Sequence, residues 1–163
     1  MSSYATDSHL LLFCTDTECA TKLLTEIADL YKLELYSYNT LVKKYGFYLK
    51  PVHIVTKKNS GGVKVYHYYG KYWYKVIYGK GKLKWLYVSK EKPLQNMPDP
   101  PLNPFTIIKV KNERNTACLY LEKVYSLDEV YRYLAEVSQK ISCIPRSWDS
   151  TFRELLEGLS RHG

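Results

Sequence analysis

Two strand-like runs, residues 71–78 and 82–88, flank the turn Gly79-Lys80-Gly81. Nothing else in the chain limits the fold as tightly, because strand side chains alternate with a period of two and a one-residue slip exchanges the faces. A two-residue loop at Lys80-Gly81 pairs Tyr78 with Leu83 and Val76 with Trp85. One face then carries Tyr72, Tyr74, Val76, Tyr78, Leu83, Trp85 and Tyr87, and the other carries Lys71, Trp73, Lys75, Lys82 and Lys84 among Ile77, Leu86 and Val88. Slipping the register by one residue mixes lysines into the apolar set. The pattern therefore predicts a hairpin whose tyrosine face, with Trp85, is core and whose lysine face exposes Trp73.

Charge follows the same region. Residues 1–40 hold two lysines against six acids, and residues 93–163 hold nine basic against nine acidic residues. Residues 41–92 hold thirteen lysines and one acid, Glu91, so the net charge of +8 is concentrated in this third of the chain. A solvated lysine face ordinarily has acids interspersed. Lysines on an edge strand can also serve only to prevent strand-to-strand association. Here the compensating acids are missing, and a polyanion is the simplest partner that relieves the self-repulsion. Lys57, Lys58, Lys64, Lys71, Lys75, Lys80, Lys82 and Lys84, with Trp73 as a stacking ring, are the expected contacts for nucleic acid. Seventeen tyrosines fit half-wet surfaces, since the ring is apolar and the hydroxyl needs a partner.

Elsewhere the chain reads as α+β: a twisted antiparallel sheet with helices packed on one face. Residues 9–14 form a strand, and Thr15-Asp16-Thr17-Glu18 matches a capping box that opens a helix to about Leu33 with Ala20, Leu23, Leu24, Ile27 and Tyr31 on one stripe. Residues 35–50 stay ambiguous between short helix and irregular chain. Residues 47–57 read as a strand interrupted at Pro51, and Asn59-Ser60-Gly61-Gly62 as a turn. Residues 1–92 are expected to form an α+β domain, 93–104 a proline-rich linker, and 105–163 a ββαα segment that either stands apart or packs on the first as one domain. In that segment residues 105–111 and 117–125 are strands, and Ser126-Leu127-Asp128-Glu129 caps a helix. A last helix, with Trp148, Phe152, Leu155, Leu156 and Leu159 on one stripe, either packs on the body or forms a homodimer surface.

Cys14, Cys19, Cys118 and Cys143 show neither C-x-x-C nor finger spacing, so they read as core thiols, with no metal site and no cofactor expected. Asp16, Glu18, Asp128 and Glu129 are placed to complement helix starts rather than to pair as catalytic carboxylates. His53 and His67 have no partner motif, and Pro98-Asp99 is not followed by an acid-x-lysine strand. No catalytic residue is assigned. The amino terminus lacks a basic-then-apolar leader pattern and no apolar run is long enough to span a bilayer, so a cytoplasmic protein without membrane contact is expected.

The segment Gly70-Lys71-Tyr72-Trp73-Tyr74-Lys75-Val76, followed by Gly79-Lys80-Gly81-Lys82-Leu83-Lys84, resembles the three-stranded arm-binding module at the amino terminus of tyrosine recombinases and phage integrases. That resemblance covers about twenty-five residues and implies a sheet presented to duplex DNA, which favours DNA over RNA. The recombinases' arginine, His-x-x-Arg and tyrosine nucleophile pattern does not follow, so no recombinase activity is implied. The order of strand, helix and twisted strands over residues 9–33 and beyond is similar to LAGLIDADG homing endonucleases, without their signature helix and its metal-binding acid. In style the chain also resembles lysine- and tyrosine-rich proteins of viruses and plasmids of heat-loving archaea. The expected function is nucleic-acid binding. A metal-dependent nuclease and a small inhibitor or adaptor binding an acidic protein are the alternatives.

Overall fold

Asp16 begins the main helix. Its Oδ1 accepts a 2.8 Å hydrogen bond from the Cys19 amide, satisfying one of the donors a helix start leaves open. The cap is thus Asp16 and not Thr15, one residue later than the capping-box pattern placed it. In a computed structural model that describes residues 9–122, 127–150, 152–154 and 157, strand β1 (His9–Asp16) leads into helix α1 (Thr17–Val42). The helix runs nine residues past the expected end at Leu33. Its apolar stripe continues through Leu35, Tyr38 and Val42, all buried. A single 3-10 turn (Lys43–Tyr45) follows, and Gly46 at φ 82 closes it.

The other strands complete two antiparallel sheets and a ribbon. They are β2 (Phe47–Leu49), β3 (Val52–Asn59), β4 (Gly62–Tyr69), β5 (Trp73–Gly79), β6 (Lys82–Ser89), β7 (Ile108–Glu113) and β8 (Thr116–Glu122). The sheets are ordered β1-β8-β7 and β2-β5-β6, and β3-β4 stands as a two-stranded ribbon. Helix α2 (Leu127–Ser138) follows, and residues 148–150 and 152–154 are helical. The fold is α+β, with its strands distributed over these three antiparallel assemblies. Ser126, Leu155, Leu156 and Leu159, expected in a cap and a terminal stripe, lie outside the described residues.

The chain divides into two compact units, residues 1–27 with 104–163 and residues 28–103, here called the terminal and central units. The expected division lay at 93–104. β1 pairs with β8, bringing residues 9–16 beside residues 116–122, a long-range pairing that no local signal announces. The proline-rich stretch belongs to the central unit and is pinned to it. Tyr38 OH donates to the Pro98 carbonyl at 2.6 Å, Met97 is buried, and Lys92 Nζ donates to the Met97 carbonyl and pairs with Asp99 at 2.6 Å. Burial, with Asp99 nearby, pushes the Tyr38 hydroxyl up to about 12, so it stays protonated and donating.

The terminal unit is closed by two disulfides, Cys14–Cys118 and Cys19–Cys143. This corrects the reading of the four cysteines as thiols. Cys14 and Cys118 are direct register partners of β1 and β8, and 104 residues separate them in sequence. Spacing along the chain therefore carried no sign of the bridge. β8 shows the in-out alternation of a sheet with one covered face, with Ala117, Leu119 and Leu121 buried beside Ile108 of β7. Val130, Tyr133, Leu134 and Val137 are the buried face of α2. Trp148 and Phe152 are also buried and pack on the Tyr131 ring.

Candidate nucleic-acid interface

The register of the β5–β6 hairpin is the expected one: Val76 pairs with Trp85, Tyr78 with Leu83 and Gly79 with Lys82. Lys80 and Gly81, at φ 48 and 73, form the two-residue turn, whose left-handed pair matches the twist of the strands it joins. The burial assigned to its faces is nevertheless wrong. Trp73 is 2% exposed, pairs with Leu49 of β2 and lies edge-on to Tyr38 of α1 at 6.0 Å. Trp85, expected in the core, is 45% exposed.

The physical reason is that burial in this hairpin changes along the strands more than across them. β5 runs from buried at Trp73 to exposed at Tyr78 and Gly79, and β6 is exposed from Lys82 to Val88. The β3–β4 ribbon behaves likewise, half-buried near Val52 and Tyr69 and exposed at the Asn59–Gly62 end. α1 covers only the base. There Asn39 bonds both backbone groups of Leu49, accepting from its amide and donating to its carbonyl, each at 2.8 Å. Strand β2 has its outer edge satisfied in this way, and the distal strands extend past any cover. A Cβ at Gly70, whose φ is 55, would come 2.9 Å from Tyr31 Cε1, so the chain turns into β5 against the helix only with glycine there.

The expected lysines are distributed accordingly. Lys75, Lys82 and Lys84 share one exposed face of the β5–β6 hairpin by register and alternation, and Lys80 sits at its turn. Lys57 and Lys64 are direct partners in the β3–β4 ladder, a like-charged pair of the kind that destabilises a sheet, and Lys58 alternates to the opposite face. Lys71 Nζ lies over the rings of Tyr68 and Tyr72, at 4.4 and 5.5 Å from their centroids. Trp73 is removed from the site by its burial. The chain from Lys43 to Lys90, which supplies all of these strands, contains no aspartate or glutamate.

The aromatic face forms the more connected surface. Tyr72 meets His53 at 4.9 Å, Tyr68 at 5.9 Å and Tyr87 at 5.9 Å, and Tyr87 meets Tyr74 at 6.0 Å. Beyond Tyr74, the Tyr48 and Trp85 rings stand edge to face at 4.6 Å. Burial and the neighbouring Tyr36 raise the Tyr48 hydroxyl above its ordinary range. Lys50 Nζ sits 5.5 Å over the Tyr74 ring and 3.1 Å from His53 Nδ1. Two hollows open beside these rings, of about 340 and 470 Å³, and Tyr36, Tyr48 and Trp85 line both. Sequence reasoning missed Tyr36, Tyr48, Tyr74 and Trp85 as surface groups. The available signal was the shortage of residues to cover a seven-member apolar face.

Among the described residues no three His, Cys, Asp or Glu side chains converge, and Asp99 of the Pro98-Asp99 pair is held by Lys92. No helix of the described residues is long and apolar enough to cross a membrane. Comparison with protein-family models, with curated proteins and with solved structures found no match.

Proposed function

We propose that the central unit binds nucleic acid, with its lysines holding phosphates and its exposed rings meeting bases or sugars. The observation that carries this reading is the aromatic surface from Tyr72 to Trp85, half-buried at Tyr72 and Tyr74 and exposed at Tyr87 and Trp85, set in a unit with fourteen lysines against only Asp29, Glu34, Glu91 and Asp99. An acidic protein would satisfy the charge equally. Exposed rings suit protein interfaces as well as bases, so direct titration with nucleic acid separates the two. The preference for DNA rests on the resemblance to the recombinase arm module alone. The central unit contains no arginine, the side chain that most often reads guanine in the major groove, which fits binding governed by backbone charge more than by base edges.

With both disulfides formed, an intracellular setting for this function fits organisms whose intracellular proteins keep disulfides, as those of hyperthermophiles do. Titration of labelled single- and double-stranded DNA and RNA by fluorescence anisotropy across a salt series tests the function. The expected result is binding at low salt without added metal. Changing Lys71, Lys75, Lys82 and Lys84 together to alanine is expected to flatten the log–log salt slope by roughly 0.7–0.9 for each phosphate no longer neutralised. Absence of binding to all four nucleic acids, or an unchanged slope in the fourfold variant, overturns the reading or moves the site.

A further inference from the structure

We infer that the two hollows on either side of the Tyr48–Trp85 pair are seats for unpaired bases, so that the polyanion is a single-stranded polynucleotide. This rests on the nucleic-acid reading and narrows it. The hollows share Tyr36, Tyr48 and Trp85, so the aromatic pair is a common wall with open space on both sides. Each hollow has its own lysine on the lining, Lys50 in the smaller and Lys43 in the larger. A ring wall flanked by two cations is complementary to two neighbouring nucleotides with their bases turned in and their phosphates out.

A duplex cannot use this arrangement without disruption, because its bases are stacked inside and reach the wall of either hollow only by leaving the stack. A single strand meets it at little cost, since every base has a face to stack. Two polar side chains that line the larger hollow, Asn39 and Thr40, are already engaged. Asn39 is bonded to both backbone groups of Leu49, and Thr40 Oγ1 donates to the Tyr36 carbonyl at 3.1 Å. The larger seat therefore takes the flat face of a base without reading its edge through Asn39 or Thr40.

The test is equilibrium anisotropy with four labelled ligands: a twelve-residue oligothymidylate, the matching oligouridylate, an abasic twelve-residue backbone and a twelve-base-pair duplex. The first two arms separate DNA from RNA as the source of the strand. Both base-bearing strands are expected to bind at least about tenfold tighter than the abasic backbone, whose phosphates are as numerous. Trp85→Ala is expected to weaken the base-bearing strands by roughly 5- to 150-fold and to leave the abasic backbone unchanged, with Trp85→Phe restoring most of the loss. Thermal melting of both variants checks that the fold persists. Equal affinity for abasic and base-bearing strands, a duplex that binds as well as the single strands, or an inert Trp85→Ala overturns this inference and leaves nucleic-acid binding standing. No binding to any of the four ligands at low salt overturns the nucleic-acid reading itself.

Discussion

The terminal and central units spend their apolar residues in opposite ways. Among the described residues the terminal unit buries eighteen hydrophobic side chains and the central unit eight, although the two differ little in length. The terminal unit has ten basic and twelve acidic residues, and two disulfides tie β1 to β8 and the start of α1 to Cys143. The central unit carries ten more positive than negative charges and leaves Tyr78, Trp85 and Tyr87 in water. Both are built on antiparallel ladders, so the ladder does not set the difference. Cover does: β8 has a buried face over its whole length, whereas the distal halves of β3 to β6 have none.

The comparison is most exposed at the two tryptophans of β5 and β6. Trp73→Ala removes the largest fully buried side chain of the small central core and is expected to cost about 3–5 kcal/mol. Trp85→Ala is expected to cost far less stability, because nearly half of that side chain is already in solvent. Hydrogen exchange of amides in residues 28–103 reads both. A damaging Trp85→Ala with a silent Trp73→Ala would mean that the exposed face is the core after all.

Next in size is the pair Cys14→Ser with Cys118→Ser. Opening a closure that spans 104 residues is expected to destabilise the terminal unit by about 2–5 kcal/mol, while salt-dependent binding by the central unit is retained. Melting of the variant and its anisotropy titration, both below the new midpoint, would break the comparison if affinity fell along with stability. Gly70→Ala sharpens it within the central unit. A residue with a side chain at φ 55, pressed against Tyr31, is expected to cost about 1–3 kcal/mol and to loosen the chain where it enters β5. Chemical denaturation measures this, and a neutral variant would show that Tyr31 can retreat.

The smallest effect belongs to the terminal unit. Asp149 accepts a hydrogen bond from Tyr131 OH, and Arg153 lies 3.3 Å away, which together hold its carboxyl below the usual range. A carboxyl lowered on folding contributes stability above its unfolded value, about 3.9, and that contribution is lost as the pH falls through the lowered value. Asp149→Asn is expected to be slightly less stable than the parent near neutral pH and to close the gap below about pH 4. Melting across that range checks it, and a gap that widens toward acid would reverse the assignment.

Much of the local structure was legible in the residues. The register of the hairpin followed from Gly79-Lys80-Gly81 and the period-two pattern, and the turn between β3 and β4 was marked by Asn59-Ser60-Gly61-Gly62, because these interactions close within a few residues. The extension of α1 to Val42 was also written there, in the spacing of Tyr31, Leu35, Tyr38 and Val42, but tyrosines fit strand and helix alike and hid it. The clustering of lysine between Lys43 and Lys92 was fixed by sequence alone, since charge needs no fold to be counted.

Tertiary structure decided what lay beyond the reach of neighbours in the chain. It paired Cys14 with Cys118 and Cys19 with Cys143, across separations at which the chain gives no preference for one partner over another. It also decided which tryptophan is hidden. Alternation states that Trp73 and Tyr74 point to opposite faces but not which part of either face is covered, and that depends on where α1 ends and how far the strands run past it. Burial is set by the elements that arrive from elsewhere in the chain, and for the hairpin at residues 73–89 too few arrive to cover its length.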